Sequence, residues 1–389
     1  MPSIFEHLTT LTNLGPRPIG SPANQAGADL IASAFSAAGW QVEEQPYVCT
    51  AWQVGQTFLE VDGGRLDAAA NAFSPACDVT APVVWAGTLP ELERAAAKGK
   101  LLLLYGDLLR WPLPPKSWFL LGEEEKKIIE TLEALQPAAL LAPPTATDYY
   151  GTLTEDWELN LPAATISPAT ARWLMQNPAA RPRLRIEAEK SPAVARNIVA
   201  RLRPAAKKRL VLCAHFDTKI NTPGASDNGG GVAILLGLAE RLSKLETGLG
   251  LELVAFNGEE YLPMGDDEYL RRAEPYFQSI QCAINFDGAG TLLGATSIAA
   301  FDETGRLEAK VRPLTEHFPG VVWVEPWPES NHSTFAFRGI PALAFSAVGT
   351  RALAHQPFDG LEGMSAAKLE EIASLVEKIT AHLAKIPAK

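Results

Sequence analysis

Apolar residues recur along this chain in two textures, and the change between them divides it. Leu30, Ile31, Ala34 and Phe35 form a helical stripe over residues 23–38, closed by Gly39 after the turn-rich segment GPRPIGSP, so the pattern predicts that the chain opens with a helix. From about residue 51 to 190, short β-like pieces (APVVWAG, LLLLYGD, AALLAPP, AATIS) alternate with Pro and Gly breaks and one charged helix, EEEKKIIETLEALQ. After a Pro-rich turn the pattern becomes strand then helix, repeatedly: RNIVARL, LVLCAHFD, VAILLGLAERL, LGLELVAF, SIQCAINFDGAG and IPALAFS. A final helix over 365–384 carries its stripe at Leu369, Ile372, Val376, Ile379 and Leu383. Continuous apolar strands alternating with amphipathic helices predict an α/β fold with a mostly parallel sheet covered on both faces. Residues 1–50 and 191–389 then make one discontinuous domain, and 51–190 a smaller β-rich domain inserted into it.

Composition agrees with this division. At 389 residues the chain exceeds one ordinary core, and 47% hydrophobic with 20% charged residues is the balance of a soluble globular protein. A net charge of −11 and a pI near 5.2, with no cluster of Lys or Arg, argue against nucleic acid and suit a neutral or cationic substrate. Cys49, Cys77, Cys213 and Cys282 lie far apart and show no paired spacing; Cys213 and Cys282 sit in apolar runs and read as core residues. No apolar run approaches membrane-spanning length, and MPSIFEHLTTL has neither a basic region nor an apolar one, so the expectation is a cytoplasmic protein with no membrane partner.

Hard metal ligands stand at the ends of the predicted strands. His215 and Asp217 follow LVLCA, Glu259 and Glu260 follow LELVAF, Asp287 ends INFD, and His355 lies in the loop after IPALAFS. Asp227 precedes the helix GVAILLGLAERL, where free N–H groups and the helix dipole favour an anion. Sites in open α/β sheets form at the carboxyl ends of strands, so His215, Asp227, Glu260, Asp287 and His355 can converge on one rim. Two imidazoles and three carboxylates suit zinc, with manganese or cobalt as substitutes, better than calcium or copper(I). Three carboxylates and a bridging hydroxide cancel two divalent ions, which points to a pair bridged by Asp227, with His215 and Asp287 on one ion and Glu260 and His355 on the other. Adjacent glutamates do not point the same way, so Glu260 is assigned to metal and Glu259 to general base. Asp217 is placed to accept the other N–H of His215.

The segments HFD, SDNGGG, NGEE, NFDGAG, SNHSTF and AHQPFD, in this order, resemble those of the double-zinc aminopeptidase family. The opening GPRPIGSPANQAGADLIASAFSAAGW is similar to that family's first helix, and the insert resembles a protease-associated domain. His332, taken by itself, is an alternative to His355 as the last ligand; the resemblance implies a three-layer αβα zinc-peptidase core, ligands and base at the positions assigned above, and His332 beside the site as a substrate contact. It also implies removal of N-terminal residues from peptides through a metal-bridging hydroxide. Three departures stand out: Ser330-Asn331-His332 where the family has Ser-Asp-His, His355-Gln356 in place of His-Thr, and an acidic loop YLPMGDDEYL after Glu260. Its GDDEYL part, residues 265–270, is expected to help form an acidic rim for an α-ammonium group.

Blander readings cover other residues. His7, His317 and His382 are isolated and read as structural; Glu123–Glu125 is a solvated face. SDNGGG lacks the Gly-Lys-Ser/Thr of a phosphate loop. Three rivals remain: a carboxypeptidase gripping a carboxylate through Arg271, Arg272, Arg338 or Arg351; a glutaminyl cyclase with one metal; and an inert interaction domain. Association into homo-oligomers is left open.

Overall fold

A computed structural model describes residues 2–118, 120–144 and 152–385. The chain divides into two compact units, Met1–Cys49 with Val194–Lys389, and Thr50–Ala193.

The larger unit is built on a mixed sheet whose middle follows the order Ala342–Ala347, Ile280–Phe286, Arg209–His215, Gly250–Phe256, all parallel. On one side Arg183–Leu202 runs antiparallel to Gly250–Phe256, and on the other Thr296–Phe301 runs antiparallel to Ala342–Ala347. Every residue of Arg209–His215 and of Gly250–Phe256 is buried, as expected of strands covered on both faces. The two-residue period sorts their side chains. Leu210, Leu212 and Ala214 join a core with the helices Ile4–Thr12, Pro22–Ala37, Gly230–Leu242 and Ala366–Ala384, while Val211 and Cys213 face Tyr269, Phe277 and Phe335 on the other side. The result is the expected three-layer α/β arrangement. Gly230–Leu242 is buried nearly all round, which its uninterrupted apolar sequence requires.

Two local expectations are corrected. The chain opens not with the helix at Pro22–Ala37 but with an earlier one, Ile4–Thr12, started by a Ser3–Glu6 capping box. The acidic segment after Glu260 is not a loop: Met264–Ala273 is a helix.

The smaller unit holds a five-stranded sheet in the order Ala68–Ala70, Ala163–Ile166, Ala139–Ala142, Leu101–Leu104, Val83–Ala86. Its last four strands are parallel. Parallel neighbours need crossovers, and the helices Leu89–Glu93 and Glu123–Leu135 lie between them in sequence, so this β-rich piece is an α/β layer rather than a set of hairpins. Leu102, Leu104 and Leu140 fill one face and Leu101, Leu103 and Leu141 the other, which explains why these strands read as unbroken apolar runs.

Candidate metal centre

Parallel pairing brings the ends of the middle strands to one edge. His215 is the last residue of its strand and pairs in register with Phe256; Asp287 follows Phe286 directly; Glu259 and Glu260 follow the Gly250–Phe256 strand; His355 comes after Ala342–Ala347 and a short turn. Asp227 lies in the irregular turn Ala225–Gly229 ahead of the long buried helix.

All six residues meet. Asp227 Oδ1 lies 3.3 Å from His215 Nε2, and Asp227 Oδ2 lies 3.1 Å from His355 Nε2. Around His215 Nε2 also stand Asp287 Oδ2 at 3.5 Å and Glu259 Oε2 at 3.8 Å. Glu260 Oε2 is 2.8 Å from His355 Nε2. His355 takes a left-handed backbone, φ +61°, as does Ser330, φ +112°. Such conformations cost about 1–3 kcal/mol each in a non-glycine residue and cluster at functional sites.

The electrostatics are those of a nest that needs positive charge. Burial, then Asp287, raises the Asp227 carboxyl; burial, then Asp227, raises Glu260 well above the carboxylate range. Glu259 is pushed up to about 8 by burial, with Asp287, Asp217 and Asp227 adding to the effect against His215. Burial alone would lower His215, but Glu259 and Asp287 outweigh it and push the imidazole well up. Asp287 sits below its usual value because His215 and a hydrogen bond from Ser330 outweigh burial. His215 Nε2 and Glu260 Oε1 are buried without a hydrogen-bond partner. His215 Nδ1 lies 3.2 Å from the main-chain oxygen of Asp217, which holds the ring with Nε2 turned toward the carboxylates. Unsatisfied nitrogen and oxygen atoms, mutually repelling carboxylates and an imidazole nitrogen aimed among them fit divalent metal, and two groups of donors, His215–Glu259–Asp287 and His215–Asp227–Glu260, lie close enough to hold an ion.

The surroundings revise several expectations. Asp217 was expected to accept from His215, yet its carboxylate is 3.6 Å from Nδ1; it accepts instead the main-chain N–H groups of Glu259 (3.3 Å) and Glu260 (3.1 Å), pinning the turn that carries both. Asp227 does not cap the helix behind it. Asn228 Oδ1 accepts from Gly231 N–H at 3.1 Å, and the N–H groups of Ser226 and Asp227 donate to the two oxygens of Asp359, at 2.8 and 3.1 Å. The role of Asp359 was not read from the sequence. Lys219, also unassigned, donates to the main-chain oxygen of Glu260 and lies 4.7 Å over the Tyr261 ring.

His332 is fully buried, with Nε2 2.7 Å from the oxygen of Trp327 and Nδ1 3.4 Å from Asn285 Nδ2, and burial pushes its pKa down to about 4. Both ring nitrogens are committed, so it neither replaces His355 nor faces a substrate. Of the acidic rim expected at 265–270, Asp267 alone is exposed, and the other two carboxylates are engaged within the fold. Asp266 is buried and accepts from Asn331 Nδ2 at 3.0 Å and from the Thr334 hydroxyl, while Glu268 pairs with Arg271 at 2.8 Å and Arg272 at 2.5 Å. Asn331, which stands where the resemblance expects Asp, thus has a carboxylate supplied to it from the neighbouring helix. Those pairings also occupy Arg271 and Arg272, and Arg338 donates to the oxygen of Thr334.

Comparison with known proteins agrees with this geometry. A family model described as Peptidase family M28 matches residues 197–380. The chain is 25% identical over 285 residues to Aminopeptidase YwaD of Bacillus subtilis, covering 72% of this chain and 59% of that protein. It is 23% identical over 303 residues to the Probable lipoprotein aminopeptidase LpqL of Mycobacterium tuberculosis, covering 73% and 58%. The chain therefore spans less than two thirds of the length of these relatives. In fold it is similar to BSAP, a zinc aminopeptidase from Bacillus subtilis, with a TM-score of 0.80 at 22% identity over 99% of this chain and 96% of that one. Among the described residues, no helix is long and apolar enough to cross a membrane.

Proposed function

We propose that this chain, whose residues 197–380 match the model of peptidase family M28, is a zinc-dependent aminopeptidase that removes N-terminal residues from peptides. The observation that carries the reading is the division of Asp227, one oxygen toward each of two imidazoles, with Asp287 beside the first and Glu260 beside the second. His215, Asp227 and Asp287 would hold one ion, and Asp227, Glu260 and His355 the other. Bound there, two zinc ions would lower the pKa of water and polarise the scissile carbonyl.

The rest falls to the chain's own side chains. Glu259 stands farthest from His215 of the three carboxylates around it and remains partly exposed, which suits a group that takes a proton from the attacking water and returns it to the leaving amine. Asp217, holding the N–H groups of both glutamates, keeps Glu259 and Glu260 turned to different tasks. Pairing of Arg271 and Arg272 with Glu268 supports an aminopeptidase over a carboxypeptidase. A full set of donors, with none lost, supports an enzyme over an inert domain. The unit Thr50–Ala193 stands in the place of a protease-associated domain, and the four cysteines, none of them paired, support a cytoplasmic location.

The test is hydrolysis of Leu- and Ala-anilides by protein loaded with zinc and stripped by chelator, together with elemental analysis. Activity restored by zinc, and a Glu259→Gln variant that keeps its metal but loses about 10²–10⁴ in kcat, is the expected result. Zinc-saturated protein inactive on every aminoacyl substrate refutes the assignment.

A further inference from the structure

We propose that Arg17 is a positioning residue of the metal centre: its guanidinium ties the loop carrying His215 and Asp217 to the loop carrying Asp227 and supplies fixed positive charge behind them. The inference rests on the metal-binding reading above and deepens it.

Arg17 is fully buried. A buried guanidinium ordinarily pairs with a carboxylate. This one instead donates to five main-chain carbonyl oxygens. Nε reaches Phe216 at 3.0 Å; Nη1 reaches Pro223 at 2.8 Å, Gly15 at 3.0 Å and Leu11 at 3.4 Å; Nη2 reaches Gly224 at 3.1 Å. Phe216 lies between His215 and Asp217, and Pro223-Gly224 leads into the turn that carries Asp227. One rigid planar group thus bridges the two segments whose spacing sets the distance from His215 Nε2 to Asp227 Oδ1. Two more bonds close the clamp: Arg17 N–H donates to the side-chain Oγ1 of Thr218 at 2.8 Å, and Thr218 N–H to the main-chain oxygen of Arg17 at 3.3 Å.

Gly224 lets the clamp close. Its φ is +64°, and a Cβ there would lie 2.5 Å from the oxygen of Asp227, 2.3 Å from Thr218 Cγ2 and 3.2 Å from Arg17 Nη2. Lysine could supply the charge but not five donors in a fixed plane.

The charge has a partner in the site itself. Burial lowers the Arg17 pKa to about 10, which leaves it cationic at neutral pH, and the fields that favour its charge come from Asp217, Asp359, Asp227 and Glu260 in that order. Asp217, Asp227, Glu259, Glu260, Asp287 and Asp359 bring more negative charge than two divalent ions cancel. Arg17 and Lys219 supply the balance from the protein side.

The experiment compares wild type with Arg17→Met, which keeps volume without charge or donors, and Arg17→Lys, which keeps charge without the fork. Zinc affinity is read by chelator competition, ligand geometry by the absorption spectrum of the cobalt(II)-loaded protein, and folding by circular dichroism. Arg17→Met is expected to fold, bind zinc about 10–100-fold more weakly and shift the cobalt spectrum, with Arg17→Lys intermediate. Leu238→Ala, a core change in the long buried helix, serves as the stability control and is expected to leave zinc affinity unchanged. If Arg17→Met does not fold, Thr218→Val takes its place, with a smaller loss of affinity in the same direction expected. Variants that bind zinc as wild type does, or a Leu238→Ala loss as large as that of Arg17→Met, overturn the proposal. Failure of the wild type to bind zinc instead overturns the metal-site reading on which it stands.

Discussion

Replacing Asp359 with asparagine isolates the support of the bridging ligand from the ligand itself. Each oxygen of Asp359 accepts one main-chain N–H, from Ser226 and from Asp227, and the side chain is only 1% exposed. Asparagine is nearly isosteric but keeps a single acceptor, so one bond survives without its charge and the new amide N–H₂ faces the other N–H. A charge-assisted bond contributes about 1.5–3 kcal/mol, and a buried donor left without a partner costs about 1–3 kcal/mol. Their combination puts the local loss near 3 kcal/mol, roughly a 100-fold change in the opening equilibrium of the turn. Hydrogen exchange followed by mass spectrometry reads this directly. Amides of the 225–229 turn should exchange about 100-fold faster, while those of the Arg209–His215 strand stay at the wild-type rate, and zinc affinity should fall about 10–100-fold. Asp359→Ala, which leaves both donors unmet, should lose more. Exchange at 225–229 within about threefold of wild type, in a folded variant, would falsify the idea that this carboxylate holds the turn.

Asp266 makes stability depend on pH. Burial raises its pKa from 3.8 to about 6 despite bonds from Thr334 and Asn331. Between those values the folded chain binds more protons than the unfolded one, so its contribution favours folding at low pH and is lost as pH rises through the window, by up to about 3 kcal/mol. Urea midpoints of metal-free protein between pH 4 and 7 should show this slope on top of that from the raised carboxyls of the metal centre, and Asp266→Asn should reduce it by the share of Asp266; equal slopes count against the assignment. The two candidate histidines separate by metal content: His355→Ala should lose one equivalent of zinc and His332→Gln none, and the reverse outcome would exchange their roles.

How much of this was legible in the sequence follows from the distance over which each feature is determined. His215, Glu260, Asp287 and His355 were readable because each follows its own apolar strand, and strand ends share an edge in a parallel sheet, while Asp227 was marked by its place just ahead of the buried helix. The role of Asp217 was half readable: its place two residues past His215 is local, but its bonds to Glu259 and Glu260 depend on strand pairing. Asp359 and Arg17 could not be inferred, because the ligand-loop groups they hold lie 132 or 133 residues from Asp359 and 199 to 207 from Arg17 and are main-chain groups, which carry no side-chain signature. The acidic segment misled because its charges looked exposed. Only packing shows that Asp266 is spent on Asn331 and Glu268 on two arginines. The Ser3–Glu6 capping box is a local signal, but the longer apolar stripe that follows it is the stronger mark of a first helix.

The three glycines that begin the long buried helix have a wider consequence. A methyl group at Gly229, Gly230 or Gly231 would lie 2.8, 2.7 or 2.7 Å from the main-chain oxygens of Gly224, Ala289 and Phe286. The helix start therefore abuts peptide groups on both sides, next to Asp227 on one and Asp287 on the other. The gap between these two ligands is gauged by backbone thickness and owes nothing to how side chains deeper in the helix fit together. Interchange among leucine, isoleucine and methionine along that helix can then proceed while the ion-holding geometry stays insulated from it, whereas a single alanine among the glycines would wedge the two ligands apart.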